Sequence, residues 1–168
     1  DATVPPGPPG VHVDEVRRVL TDGLRPALVV DAGQAYRDAA EVERLCAPFL
    51  GDDPVFGRMN GLAVADFVDP GRAAVQRGRI DEARAGLVLV VGTGATLVAE
   101  PDVLVYADLA RWEIQQRQRR GEVASLGAHD QKERPAKLYK RGFFVDWRAA
   151  DRLKRTLFDR VDWLLDTN

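Results

Sequence analysis

The sequence predicts an α/β domain, a three-layer sandwich around a mostly parallel sheet. Unbroken apolar runs at 27–30, 87–91 and 103–107 are typical of strands that are buried on both faces. Segments with helical spacing of apolar residues separate these runs, and such alternation favours parallel strands. The length of 168 residues and the 45% hydrophobic content fit one packed domain.

Residues 1–12 are rich in proline and glycine and predict a tail or loop, because proline neither continues a helix nor donates to a sheet. A single domain is therefore expected over 13–168. Its first helix is predicted from Val13, with Asp14 as the cap, to a point near Gly23.

The first half of the domain then follows a strand–helix pattern. The run at 27–30 predicts a strand, and 39–49 predicts a helix whose apolar face includes Cys46 as a core residue. A weaker helical pattern covers 63–79 and is broken at Asp69-Pro70-Gly71.

The second half begins with two strands, at 87–91 and 103–107. A polar helix is predicted at 109–120 and a polar loop at 121–134. A short strand is predicted within 137–145.

A long amphipathic helix is predicted to close the chain over 147–165. Asp151 is spaced to meet Arg155 one turn later. The apolar stripe of this helix consists of Ala150, Leu153, Leu157, Val161 and Leu164.

Net charge and hydropathy limit the classes of partner that the sequence favours. The formal net charge is −2, which argues against nucleic acid as a partner, and no apolar run is long enough for a membrane helix. The balance hides an asymmetry, since 1–107 carries 10 basic and 16 acidic side chains and 108–168 carries 14 and 10. The sequence therefore favours an anionic ligand where the acidic part, 1–107, meets the basic part, 108–168.

Cysteine and histidine are scarce. The one cysteine cannot form an internal disulfide, which indicates a reducing, cytoplasmic setting. His12 and His129 are far apart in the chain, so we expect no metal site and no cofactor.

Ligands of parallel sheets collect beyond the carboxyl ends of the strands. Asp31-Ala32-Gly33, Gly92-Thr93-Gly94-Ala95 and Asp108 stand at these ends. Glycines let backbone N–H groups approach an anion, and arginines bind phosphate oxygens in pairs. The predicted phosphate-binding residues are Gly92, Gly94, Asp108, Arg111, Arg117, Arg120, Lys140 and Arg141.

Each of these residues also has a structural interpretation. The two glycines fit a tight exit from a strand, and Asp108 fits the N-cap of the following helix. Arg117 fits a surface ion pair with Glu113, and the basic cluster at 137–141 fits a solvated face. The tryptophans Trp112, Trp147 and Trp163 fit core or interface anchors as well as stacking platforms.

A P-loop for phosphoryl transfer requires a Gly-Lys pair followed by Ser or Thr, because the lysine reaches the terminal phosphates and the hydroxyl holds Mg²⁺. No Gly-Lys pair occurs in the chain. The Walker A motif is therefore absent.

Three segments carry a resemblance to a known family. They are VLVYADLARWEIQQRQRR at 103–120, YKRGFFVDWR at 139–148 and VDWLLDTN at 161–168. Together with LVVDAGQAYRD, DDPVFGRM and VVGTGATLV, they resemble the N-terminal region of bacterial class I mannose-6-phosphate isomerase-like proteins. In that family the region precedes a cupin domain, and the resemblance extends from about Val13 to Asn168.

That region is itself similar to P-loop nucleoside kinases. In uridine-kinase-like enzymes a strand ending in Gly is followed by a strand ending in Asp and an arginine-rich lid helix. Gly92, Asp108, Arg111, Arg117 and Arg120 stand at similar places. The missing Walker A motif departs from the kinases, and the scarcity of histidine departs from the cupin metal site. The resemblance implies that the isomerase site lies beyond Asn168.

Three functions follow as hypotheses. The first is a degenerate kinase-like accessory domain that binds a phosphorylated sugar or nucleotide without catalysis of its own. The second is a docking module for a neighbouring cupin domain or for another copy of the chain, marked by exposure of Trp147 or Trp163. The third is an unconventional small-molecule kinase with Asp31 or Asp108 as its base.

Overall fold

The computed structural model describes residues 10–83 and 85–168, so the predicted tail lies mostly outside the described residues. The strands are β1 (Leu28–Asp31), β2 (Val88–Val91), β3 (Val105–Asp108) and β4 (Trp163–Asp166). β1 pairs with β2 and β3 pairs with β4, both in parallel. The prediction of a mixed α/β chain with parallel strands is confirmed, with the strands in two pairs.

Seven helices accompany the strands in the described ranges. They are α1 (Val13–Leu24), α2 (Ala39–Leu50), α3 (Pro70–Glu82), α4 (Ala95–Val98), α5 (Arg111–Arg119), α6 (Pro135–Arg141) and α7 (Trp147–Leu157). Short 3₁₀ turns occupy Ala32–Ala35, Val64–Phe67 and Phe158–Arg160, and a π-helical turn occupies Gly142–Asp146. Over these residues no helix has both the length and the apolar character to span a bilayer.

The main core lies between the β1–β2 pair and the helices around it. Val30 of β1, Val42 and Cys46 of α2, and Phe67 are almost completely buried there. The prediction that Cys46 is a core residue is confirmed, because its side chain is 1% exposed. Burial also raises the pKa of its thiol to about 11, so the thiol stays protonated at neutral pH.

A smaller core connects the two strand pairs. Val11, just before α1, and Val13, its first residue, are buried against Val91 of β2. Ala107 of β3 and Leu109 pack onto the same cluster. The start of α1 therefore covers the place where the end of β2 comes close to the end of β3.

The predicted cap of α1 is wrong. The N-cap is His12, whose side chain makes no capping hydrogen bond. Asp14 lies in the first turn of the helix and pairs with Arg17 at 2.5 Å. An acidic side chain in the first turn still interacts favourably with the helix dipole.

The strand predicted within 137–145 is also wrong, because these residues belong to α6 and the π-helical turn. Pro135 occupies the first turn of α6, where its missing N–H costs no helical hydrogen bond. Leu138 and Val145 are buried, at 1% and 0% exposure. Both side chains are thus buried from a helical backbone, and no strand is needed to bury them.

The long closing helix ends earlier than predicted. α7 stops at Leu157, and the chain then turns and adds β4 beside β3. Main-chain N–H groups of Asp162 and Trp163 donate to the carbonyl oxygen of Leu104, at 3.0 and 3.2 Å. Leu164 is consequently 65% exposed instead of lying on a buried helical stripe.

Candidate functional site

The carboxyl ends of β1 and β2 lie side by side, with Asp31 opposite Val91. The Oδ1 atom of Asp31 accepts a 2.8 Å hydrogen bond from the N–H of Gly33. Gly92 follows with φ of +114°, and a Cβ there would lie 3.4 Å from the same Oδ1 atom. A Cβ at that distance fits without a clash, so it is the positive φ, not the space beside the carboxylate, that favours glycine here.

Two polar atoms at this edge are buried and have no hydrogen-bond partner. They are Oδ2 of Asp31 and Oγ1 of Thr93. Among the described residues Arg17 is the cation that approaches Asp31, with its Nη1 3.8 Å from Oδ2, beyond a normal hydrogen bond. Burial raises the pKa of Asp31 above its ordinary value, against the hydrogen bond from Gly33 and the charge of Arg17.

The turn after β2 is held in place from the α2 side of the core. Tyr36 is 3% exposed, and its hydroxyl donates a 2.9 Å hydrogen bond to the carbonyl oxygen of Thr93. Burial raises the pKa of Tyr36, so its hydroxyl remains a donor at neutral pH. Thr93 is fixed through its main chain, while its own hydroxyl has no partner.

An open cleft of about 390 Å³ lies beside Asp31. Its volume is at the low end of the range for small-molecule sites. Its lining carries two guanidinium groups, two carboxylates, an amide and a hydroxyl, so it is polar with no excess of one charge. The lining residues are Arg17, Arg18, Thr21, Asp22, Val29, Asp31 and Gln34.

The other predicted glycine, Gly94, faces apolar side chains. Its φ is +82°, and a Cβ there would lie 3.3 Å from side-chain atoms of Leu97 and Val64. It precedes α4, a helix of four residues. Gly94 therefore serves the turn at the end of β2 and does not line the cleft.

The carboxyl end of β3 carries the next predicted residues. Both oxygens of Asp108 accept from Nζ of Lys154, at 2.8 and 2.9 Å. The interpretation of Asp108 as an N-cap is wrong, because Ala110 is the N-cap of α5. Arg111 forms an ion pair with Asp151, which the sequence had predicted to pair within α7.

Arg117 is buried and uses all three nitrogens of its guanidinium. It donates to the carbonyl oxygens of Gly10 at 2.8 Å and Thr167 at 2.6 Å, and to Glu113 at 3.1 Å. Arg120 shares Glu113 at 3.0 Å and also pairs with Glu122 at 2.5 Å. The pair between Arg117 and Glu113 occurs as the spacing suggests, but it is largely buried.

Lys140 and Arg141 lie at the end of α6, away from both strand ends. Lys140 is 7% exposed and donates to the carbonyl oxygens of Gly51 and Asp53. Arg141 donates to the carbonyl oxygen of Leu126 at 2.6 Å and lies 3.5 Å from Asp146. These two residues therefore do not form a solvated basic face.

Asp146 stands at the end of the π-helical turn and is 1% exposed. Its Oδ2 accepts from the N–H of Leu126 at 3.2 Å. Burial raises the pKa of Asp146 to about 6, although Arg141 acts in the opposite direction. The side chain fastens the loop before α6 to the start of α7.

The predicted residues thus form three groups. Asp108 ends β3, with Arg111, Arg117 and Arg120 along α5 after it, each bound to a different set of partners. Gly92 and Gly94 follow β2, and Lys140 and Arg141 lie on α6. The residues missed by the sequence analysis are chiefly Arg17 and Arg18. Helical spacing places them on α1, but no sequence signal says which face of α1 meets the end of β1.

The tryptophans differ in environment. Trp147 is buried, at 4% exposure, and Arg111 lies over its ring at 5.8 Å. Trp163 of β4 is 69% exposed and Trp112 of α5 is 66% exposed. The docking hypothesis keeps its support from Trp163 and loses it from Trp147.

Comparisons with known proteins identify a family. No curated protein and no solved structure matches the chain significantly. A family model described as a domain of unknown function, DUF8485, matches residues 4–168. The chain belongs to the DUF8485 family.

Proposed function

We propose that the chain is a kinase-like accessory domain that binds a phosphorylated sugar or nucleotide at the β1–β2 edge without phosphoryl transfer of its own. The observation that carries the proposal is the buried, unpartnered Oδ2 of Asp31 beside a polar cleft. A buried carboxylate oxygen without a donor favours a ligand or water that supplies one.

The composition of the cleft suits a ligand with hydroxyls and an anionic group. Arg17 and Arg18 provide guanidinium donors for phosphate oxygens, and Asp31 and Gln34 provide acceptors for hydroxyls. The cleft runs between α1 and β1 from Val29 to Asp31 and so reaches the carboxyl end of this parallel strand, where ligands of such sheets bind. Arg18 is exposed and has no ion-pair partner among the described residues, so a phosphate does not compete with a carboxylate for it.

Two observations argue against phosphoryl transfer. The chain has no Gly-Lys pair for a Walker A motif. Arg117, which stands where the resemblance implies a lid arginine, donates to Gly10, Thr167 and Glu113. Releasing it for a transferred phosphate breaks three hydrogen bonds, one of them to a carboxylate.

The resemblance to the N-terminal region of mannose-6-phosphate isomerase-like proteins supports a proposal about the larger protein to which the domain belongs. We place the domain in a cytoplasmic protein whose isomerase chemistry belongs to a neighbouring cupin domain. The finer architecture, a P-loop-kinase-like three-layer sandwich, is part of the same proposal. It is supported by parallel strands with α1 and α7 on opposite sides of β3, as the contacts of Ala107 and Tyr106 indicate.

Calorimetric titration tests the binding claim. We expect mannose 6-phosphate, UMP or ATP to bind with a submillimolar Kd, weakened about tenfold by Arg18→Ala and by Asp31→Asn. Arg44→Ala is the matched control, because Arg44 is exposed on α2, outside the cleft. No heat from any of the three ligands at millimolar concentration contradicts the proposal.

A coupled assay for ADP release over a panel of sugars and nucleosides tests the absence of catalysis. We expect no release above background for the wild-type chain. Turnover that Asp31→Asn or Asp108→Asn abolishes, with binding retained, supports the unconventional kinase instead.

A further inference from the structure

The carboxylate of Asp31 is hydrogen-bonded at one oxygen only. Its Oδ1 atom accepts from the N–H of Gly33 at 2.8 Å, whereas Oδ2 is buried and has no hydrogen-bond partner among the described residues. The side chain is 5% exposed. Because buried carboxylates are paired with cations in folded proteins, Oδ2 suits a group that brings both a hydrogen-bond donor and a positive charge.

Arg17 approaches Asp31 but does not bond to it. Its Nη2 atom pairs with Asp14 at 2.5 Å, while its Nη1 atom stays 3.8 Å from Oδ2 of Asp31. A hydrogen bond between nitrogen and oxygen needs about 3.2 Å or less. Arg17 therefore divides its charge between two carboxylates and bonds to only one of them.

The charges around the cleft favour a ligand that carries both signs. The lining holds Arg17 and Arg18 together with Asp22 and Asp31, and Asp14 adds a third carboxylate beside Arg17. A phosphate brings about −1.5 to −2 charge at neutral pH, so on its own it adds to a site in which acidic groups outnumber basic ones. An ammonium group on the same ligand offsets part of that excess.

The lining also distinguishes among phosphorylated ligands. It includes no aromatic side chain, and Val29 is its one apolar member. Nucleotide bases bind by stacking on aromatic surfaces, which this lining does not offer. Thr21 and Gln34 offer a hydroxyl and an amide, which suit the hydroxyls of a sugar. The cleft volume of about 390 Å³ also favours the smaller ligand.

We propose that the ligand of this cleft is an amino-sugar phosphate, with its ammonium on Oδ2 of Asp31 and its phosphate on Arg18. The inference rests on the proposed function and narrows it to one ligand class. Arg18 suits the phosphate because it is exposed and has no ion-pair partner within 10–83 and 85–168. Asp31 suits the ammonium because a charge-assisted hydrogen bond is about twice as strong as a neutral one.

Three hexose phosphates with one scaffold serve as probes. Glucosamine 6-phosphate carries an ammonium where glucose 6-phosphate carries a hydroxyl and N-acetylglucosamine 6-phosphate carries a neutral amide. Each is titrated calorimetrically into the chain at about pH 6.5, where an amine with a pKa near 8 is protonated. We expect glucosamine 6-phosphate to bind about tenfold more tightly than the other two.

Variants of the cleft separate the two charged contacts. Asp31→Asn is expected to bring the Kd values of glucosamine 6-phosphate and glucose 6-phosphate within about twofold of each other, because the amide carries no charge for the ammonium. Arg18→Ala is expected to weaken all three ligands equally, because they share the phosphate. Glu43→Gln is the matched control for Asp31→Asn, since Glu43 is an exposed carboxylate of α2 outside the cleft. Thermal melting shows whether each variant remains folded.

The outcomes distinguish this inference from the proposed function. Equal binding of the three hexose phosphates by the wild-type chain overturns the inference alone, and this comparison needs no variant. No heat from these ligands, UMP or ATP at millimolar concentration overturns both. A preference for the amino sugar that Asp31→Asn retains and Asp22→Asn removes overturns the assignment to Asp31. Tighter binding of UMP or ATP than of glucosamine 6-phosphate assigns the cleft to nucleotides instead.

Discussion

Arg117 donates a 2.8 Å hydrogen bond to the carbonyl oxygen of Gly10, which precedes it by 107 residues in the chain. The same guanidinium donates to Thr167, near the other end of the described chain, at 2.6 Å. One buried cation of α5 therefore fastens the approach to α1 and the exit from β4. This structural task, rather than ligand binding, accounts for its burial.

Replacing Arg117 is expected to destabilise the fold. Arg117→Ala leaves the carbonyl oxygens of Gly10 and Thr167 without their donor and leaves Glu113 with Arg120 alone, which costs about 2–3 kcal/mol. Arg117→Lys keeps the charge but cannot match the planar guanidinium, so a loss of about 1–2 kcal/mol is expected. Urea unfolding measures both. Exposed Arg119→Ala is the control, with a change within about 0.5 kcal/mol, and equal effects of Arg117→Ala and Arg119→Ala contradict the assignment.

Local patterns account for much of the fold. The buried runs that became β1 and β2 and the helical spacing that became α2 and α5 are properties of short segments. The last third shows where this information ends. The stripe from Leu153 to Leu164 fits a helix, yet hydrogen bonds to Leu104, just before β3, and pairing with β3 take the chain into β4. Such pairing depends on a segment about sixty residues away.

The candidate site, like the fold, is predicted by local sequence only in part. Asp31 and Gly92 are recognisable as strand ends, and parallel pairing brings them together. Arg17 and Arg18 join them only through the packing of α1 against β2, which no local pattern encodes. The ion pair of Arg117 with Glu113 followed from their spacing of four residues. The pair of Arg111 with Asp151 was beyond prediction, because it joins residues 40 positions apart.

Gly92 and Gly78 provide a comparison of backbone conformations. Gly92 has a φ of +114°, so Gly92→Ala introduces strain and a loss of about 1–2 kcal/mol is expected. Gly78 lies inside α3, with nothing within 4 Å of an added Cβ. Gly78→Ala is therefore expected to stabilise the fold by about 0.5–1 kcal/mol. Thermal unfolding distinguishes the two, and stabilisation by Gly92→Ala contradicts the positive φ described for the residue that follows β2.

Asp108 and Lys154 form an ion pair whose coupling is measurable by a double-mutant cycle. The partners are 41% and 33% exposed, so solvent screens the pair and a coupling of about 0.5–1 kcal/mol is expected. Urea unfolding of Asp108→Asn, Lys154→Met and the double variant gives the coupling, which we expect to shrink in 1 M salt. A coupling of zero at low salt shows that Asp108 is free of Lys154 in solution and reopens its role as a base.

Asp146 gives the fold a dependence on pH that a substitution can isolate. Burial raises the pKa of Asp146 from 3.8 to about 6, so between these values the folded chain holds a proton that the unfolded chain has lost. Its contribution to stability is fully present below about pH 4 and falls by about 3 kcal/mol as the pH rises through 6. Asp146→Asn cannot titrate, so the stability of wild type relative to this variant should decrease from pH 4 to pH 7. Urea unfolding at several pH values measures the difference, and parallel pH profiles for the two proteins show that Asp146 is ionised throughout this range.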